Sequence, residues 1–110
     1  MIPSQMLKGT LEGCVLAIIS RKETYGYEIS QQLMGYGFGR ITEGTIYPLL
    51  LRLEKNELIC ATYKDSEVGP RRKYYALTSD GSDALEQFFA SFRELETAVD
   101  RLMKDTGEGF

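Results

Sequence analysis

The chain has 110 residues, enough for one domain with a thin core, so a large exposed apolar face would call for a partner. Its 43% hydrophobic and 26% charged residues are those of an ordinary globular protein, and no run of about 18 apolar residues is present to cross a membrane. Histidine is absent, Cys14 and Cys60 lack metal-ligand spacing, and no Gly-rich phosphate loop follows a strand. These absences remove the usual general base, the usual metal ligand and the usual nucleophile partner, so no enzyme, cofactor or metal is expected.

The net charge of −3 argues against a nucleic-acid partner until its distribution is considered. Residues 1–77 hold ten Lys and Arg against eight Asp and Glu, and residues 78–110 hold three against eight. Within the first part, Gly69-Pro70-Arg71-Arg72-Lys73 concentrates three cations with no acid. Phosphate responds to the local patch more than to the sum.

The opening stretch, MIPSQMLKGTLEGCVLAIISRK, has one Lys before a short apolar segment, and Glu12 interrupts that segment. It lacks the small-residue cleavage site of a signal peptide, so it reads as a helix of the mature fold and the protein as cytoplasmic. Leu7, Leu11, Cys14/Val15 and Ile18/Ile19 recur at helical spacing, predicting a first helix from about Leu7 to Ser20. Thr24 is a suitable N-cap for a second helix with Ile29, Leu33 and Tyr36 on its inner face. Gly35-Tyr36-Gly37-Phe38-Gly39 stops it.

Thr42 caps a third helix, with Glu43 in its first turn and Ile46, Leu49/Leu50 and Leu53 as its buried stripe. Pro48 lies near enough to the helix start to cause only a local loosening. Asn56 is expected to end the helix in a left-handed cap. Leu58–Lys64 and Arg72–Leu77 read as two strands of a hairpin, joined through residues 65–70. Two strands cannot stand alone, so the hairpin must pack on the helices.

Thr78 or Ser79 caps a last helix running to about Lys104. Leu85, Phe88, Phe92, Leu95, Val99 and Leu102 repeat with heptad a/d spacing along it, which predicts a homodimer seam, the alternative being a long helix folded back on its own domain. At 1.5 Å per residue the helix spans about 35–40 Å, longer than a small three-helix body can cover. Residues 106–110 are expected to be a disordered tail.

The resulting fold class is α+β, mostly α: a winged helix-turn-helix with a long C-terminal dimerisation helix. Residues 1–78 form the DNA-binding domain, its wing at about 58–77, and residues 79–105 form the dimerisation helix. In such a domain the third helix enters the major groove. Gly44, Thr45, Tyr47, Pro48, Leu51, Arg52 and Lys55 lie outside its buried stripe. Gly44 permits close approach, Thr45 can meet a phosphate or a thymine methyl, and Arg52 can reach a guanine or a phosphate. Two bland alternatives stay open: Tyr47 wedges against the wing, and Arg52 pairs with Glu28 or Glu54. Arg71, Arg72 and Lys73 beside the hairpin tip, with Lys64 on the other arm, form a phosphate-gripping set or a solvated turn. Phe88, Phe89 and Phe92 are core and seam, or one wall of an apolar ligand site opposite Met6, Leu7 and Leu11.

Four linked stretches resemble the signature of the PadR family of bacterial transcription regulators: Tyr25-Gly26-Tyr27-Glu28-Ile29, Glu43-Gly44-Thr45-Ile46-Tyr47-Pro48-Leu49-Leu50, Arg52-Leu53-Glu54-Lys55, and residues 69–78 from Gly69 to Thr78. The resemblance implies a homodimer that represses promoters by binding a pseudo-palindromic operator in double-stranded DNA. It also implies release by a small hydrophobic or aromatic effector, phenolic acids or drugs in some members. The single helix after the wing is similar to the compact subfamily, in one member of which an aromatic on the last helix lines a pore between protomers. Phe92 stands at the matching place. Asn56-Glu57 replaces the glycine the family often has after its third helix, and no Trp supplies a flat stacking platform. The alternative function is a winged helix for protein interaction, which would tolerate loss of the wing charge.

Overall fold

The structure, a computed structural model, describes residues 1–65 and 69–107. Seven elements follow in order: α1 Ser4–Leu7, α2 Leu11–Arg21, α3 Gly26–Tyr36, α4 Glu43–Lys55, β1 Ile59–Lys64, β2 Arg72–Leu77 and α5 Ser79–Asp105. The expected order of three helices, hairpin and long helix is present.

The first helix is broken, however. Gly9 takes φ +96°, outside the helical region, and the chain turns between α1 and α2. The Thr10 amide and hydroxyl both donate to the Leu7 carbonyl, at 2.9 and 2.8 Å, which closes the turn. Leu7 is thereby tucked against the core as an anchor for α1.

Thr24 is not a helix cap. The extended Tyr25 fills that position, and Thr24 pairs with Tyr75 as an isolated bridge, N–H to carbonyl in both directions at 3.1 and 2.7 Å. It acts as a one-residue third strand beside the antiparallel β1–β2 ladder, whose register runs from Ile59↔Leu77 to Lys64↔Arg72. A paired, buried backbone outweighs the capping preference of its side chain. The Thr24 hydroxyl instead donates to Glu28 at 2.6 Å. Tyr36 faces outward rather than into the core.

The left-handed residue after α4 is Glu57 (φ +61°), while Asn56 keeps φ −85°. Leu58 N–H donates to Leu53 carbonyl at 2.9 Å and Glu57 N–H to Glu54 carbonyl at 3.0 Å, the pairing of a Schellman end. That pattern places the left-handed residue one position past Asn56. At the other end of the hairpin, Thr78 caps α5 as expected, accepting from the Gly81 amide at 2.9 Å. Thr106 and Gly107 close the last turn, with Gly107 N–H on the Lys104 carbonyl. The expected disorder of the remaining tail, 108–110, lies outside the described residues, as do residues 66–68.

The core collects Val15, Leu16, Ile18 and Ile19 of α2, Ile29 and Leu33 of α3, Ile46, Leu50 and Leu53 of α4, with Ile59, Tyr75 and Leu85. α3 packs on α4, and α2 packs on both β2 and α5. The approach of α2 to α5 depends on Gly13, where an added Cβ would lie 2.2 Å from the Phe88 ring. The radius of gyration is 16.1 Å, against about 13 Å for a compact chain of this length. The excess comes from α5, which outruns the body along an axis of 56 Å.

Candidate nucleic-acid interface

Helical geometry divides α4 into faces. At about 100° per residue, burying Ile46, Leu50 and Leu53 puts Gly44, Pro48, Leu51 and Lys55 on the opposite pole. Thr45 and Arg52 fall on one flank, Tyr47 and Glu54 on the other. The exposures agree: Gly44, Thr45, Tyr47, Pro48, Leu51, Arg52 and Lys55 all reach solvent. Pro48 is inside the helix without breaking it. Its ring removes one N–H, so the Gly44 carbonyl loses its helical partner, and the pyrrolidine adds a rigid apolar step beside Leu51.

The start of α4 is open. The Thr45 and Ile46 amides return to the Thr42 carbonyl at 3.0 and 3.2 Å, and the Thr42 side chain makes no capping bond. The amides of Glu43 and Gly44 therefore point out of the helix end, where partial positive charge accumulates. Glu43 shares this end with them. Tyr47 lies against Gly26 and lines a cleft with Tyr25, Tyr27, Glu43, Arg72, Lys73 and Tyr75. Partial burial and the nearby Glu43 carboxylate hold its phenol proton more tightly than usual. Tyr47 is thus both wedge and surface: one side meets α3 and the other stays exposed.

The hairpin presents its cations in alternation. Arg72 and Tyr74 share the outer face with Lys64; Lys73 and Tyr75 share the inner face with Tyr63. Tyr25 meets Tyr74 edge-on at 5.2 Å, and the Arg72 guanidinium rests 4.4 Å over the Tyr25 ring. Lys64 pairs with Glu23 and lies 4.9 Å from the Tyr74 ring centre. Arg71 reaches Asp65 at 3.3 Å. Lys73 reaches Glu54 at 2.9 Å, and its pKa is raised chiefly by that hydrogen bond. Among the described residues, Arg72 and Lys55 have no carboxylate within ion-pair distance.

Arg52 corrects both sequence alternatives: it pairs with Glu12 of α2 at 2.8 Å. Glu54 lies two residues along the helix, on the far flank, and residues so spaced do not face each other. Glu28 is engaged by Thr24. The sequence reading also left out Tyr25 and Tyr27 as possible surface residues of the cleft. The signal was their place in the Tyr-Gly-Tyr motif, where a glycine between two tyrosines lets α4 close on α3.

Away from this face, the second half of the seam is bare. Leu85 is buried and Phe88 packs on the core, but Phe92, Leu95, Val99 and Leu102 are 41–66% exposed. Beside them an apolar hollow of ≈ 390 Å³ is walled by Met6, Leu7, Phe88 and Phe92, with Phe38, Phe89 and Cys14. Leu11 is not among its walls; half-buried, it packs against the core. Burial pushes the Cys14 thiol pKa up, away from reactivity.

Residues 15–87 match the model of the transcriptional regulator PadR-like family. The chain belongs to that family. A crystal structure of a PadR-like transcriptional regulator from Bacillus cereus is 52% identical, with a TM-score of 0.81 over 90% of this chain and 96% of that one. A protein of Lysinibacillus sphaericus is 37% identical over 94% of this chain and 97% of its own length. A transcriptional regulator of Mycobacterium tuberculosis is 32% identical over 70% of each chain. As a PadR-like protein the chain is a regulator of transcription acting on DNA, not an enzyme. The family match takes in the third-helix surface and the wing and stops at Gln87, before the exposed part of the seam. No helix of the described residues is long and apolar enough to cross a membrane.

Proposed function

We propose that this PadR-like protein is a cytoplasmic homodimeric repressor that reads a pseudo-palindromic operator. The observation that carries this reading is that α4 turns its open N-terminus and one side of its helix to solvent, beside an outward wing cation, Arg72, that no carboxylate neutralises among the described residues. In this reading α4 enters the major groove. Free amides and Thr45 seat a phosphate, Pro48 and Leu51 offer apolar contact to a thymine methyl, and Arg72 grips the backbone. Two protomers joined through Phe92, Leu95, Val99 and Leu102 would present two such helices about 34 Å apart, one turn of duplex. An apolar or aromatic effector in the hollow beside Phe88 and Phe92 would alter that spacing, provided it binds one spacing more tightly than the other.

Two measurements test the reading. Fluorescence anisotropy of a duplex from the protein's own upstream region should weaken steeply with salt, and Arg72→Ala should reduce the log–log slope by about one. An affinity independent of salt, and unaltered in Arg72→Ala, would overturn the DNA-contact assignment. In sedimentation, Phe92→Asp should turn a dimer into a monomer. A Phe92→Asp protein that stays dimeric refutes the seam.

A further inference from the structure

We propose that Lys73 is not a phosphate ligand but a positioning residue, which sets the angle of the wing to the reading helix by gripping Glu54. The inference rests on α4 and the wing acting together on DNA. It assigns to one of the three clustered cations a role unlike that of its neighbours.

Strand alternation is the first argument. Lys73 stands opposite Tyr63 and on the same face as Tyr75, the side of the hairpin that closes on the helices. Arg72 stands on the other side. The two side chains leave the strand on opposite faces; both reach the cleft beside Tyr47, and there Lys73, unlike Arg72, meets a carboxylate of α4 among the described residues.

The surroundings of the ammonium group are the second. Its Nζ lies 2.9 Å from Glu54 Oε1, 5.5 Å from the Tyr75 ring centre and 5.9 Å from that of Tyr63. The pair is also less exposed than its counterparts. The Lys73 side chain keeps 28% of its surface, against 55% for Arg52, 52% for Lys64 and 66% for Arg71. Its acceptor belongs to the second half of α4, on the Tyr47 flank. The contact thus ties the outer part of the wing to the helix that would read the groove.

The consequence is geometric. Thr24 fixes β2 through Tyr75, but Tyr75 lies two residues further from the hairpin tip. Nearer the tip, Arg72 on Tyr25 and the Lys64–Glu23 pair hold the hairpin to the segment before α3, whereas Lys73–Glu54 ties it to α4 itself. Without this tie the wing keeps its contacts to Glu23 and Tyr25 but can tilt relative to α4, and α4 and Arg72 then reach groove and backbone together less well. The distance between two rigid contacts is what makes their binding cooperative.

The experiment uses the full chain and a charge exchange. Lys73→Met and Glu54→Gln should each weaken operator binding about tenfold, the size of one charged hydrogen bond, and the double variant should be no worse than either. The salt slope should not change in any of them. Glu54→Lys combined with Lys73→Glu should recover affinity, since a reversed pair restores the tie. Amide exchange along β1 and β2 without DNA should quicken in both single variants and slow again in the exchanged pair. A slope lowered by about one in Lys73→Met would overturn the proposal, because it marks a direct phosphate contact. So would an exchanged pair that binds no better than Lys73→Glu alone, or amide exchange that none of the variants alters. Failure of the DNA reading itself looks different: Arg72→Ala then leaves the salt slope unchanged while the amide-exchange pattern still reports the tie.

Discussion

Leu50→Ala and Leu51→Ala, one position apart on α4, should behave as opposites. Leu50 has no exposed surface and is enclosed by side chains of the core. Its truncation removes apolar contact and leaves a cavity that Ile46 and Leu53, held by their own neighbours, cannot refill. The expected cost is about 3 kcal/mol, within the range of buried Leu→Ala changes. At about 4–8 °C per kcal/mol for a domain of this size, the midpoint should fall by about 12–24 °C. Leu51 is 62% exposed, so its truncation should cost less than about 0.5 kcal/mol. It should nevertheless weaken operator binding if Leu51 lies on the reading pole. Urea or thermal unfolding at one fixed protein concentration measures both, because the midpoint of a dimer depends on concentration. Equal stabilities for the two variants would refute the division of α4 into a buried and a reading face.

Stability should also fall on the alkaline side. Burial raises the Tyr75 phenol pKa and the hydrogen bond to Glu54 raises that of Lys73. From about pH 10 upward the unfolded chain releases these protons first, so the folded state holds more of them and loses stability as the pH rises through the folded values. Urea unfolding across that window should show a slope that Tyr75→Phe makes shallower, and an unchanged slope in Tyr75→Phe would be the contrary result. Gly13→Ala should cost about 1–3 kcal/mol, since its methyl would collide with the Phe88 ring. A smaller residue at position 88, as in Phe88→Leu, should return part of that loss in a double-variant cycle, and strict additivity would argue against the contact.

Element order and type were legible because periodicity carried them. The stripe Ile46, Leu50, Leu53 and the alternation around Tyr75 each follow from the repeat of one regular structure. The breaks were less legible because they depend on pairing elsewhere. Nothing local distinguishes Thr24 as a strand residue, since its partner is Tyr75, more than fifty residues away. Gly9 is compatible with a helix, but it takes φ +96° in a turn that Thr10 closes on the Leu7 carbonyl. Glu57 takes the left-handed position because two hydrogen bonds close the end of α4 there, which outweighs the preference of Asn56 for that backbone.

For the candidate site, the sequence placed the cations but not their partners. Glu12, Glu23, Glu54 and Asp65 come from α2, the segment before α3, α4 and the residue after β1, and meet Arg52, Lys64, Lys73 and Arg71 only once these elements pack. Such pairing does not disqualify a cation from meeting DNA. An exposed ion pair contributes about 0–1 kcal/mol, so a phosphate can replace the carboxylates of Arg52, Lys64 or Arg71 at little cost. Lys73 differs in degree of cover: its side chain is 28% exposed, with Glu54 at 2.9 Å and two tyrosine ring centres within 5.9 Å, so its carboxylate is harder for a phosphate to replace. A count of charge along the chain treats Arg71, Arg72 and Lys73 as one patch. Strand alternation and cover divide it into one shielded cation, one cheaply paired cation and one stacked on Tyr25. An acidic protein can therefore present a basic surface to DNA from a few positions, provided the fold keeps those positions on one side.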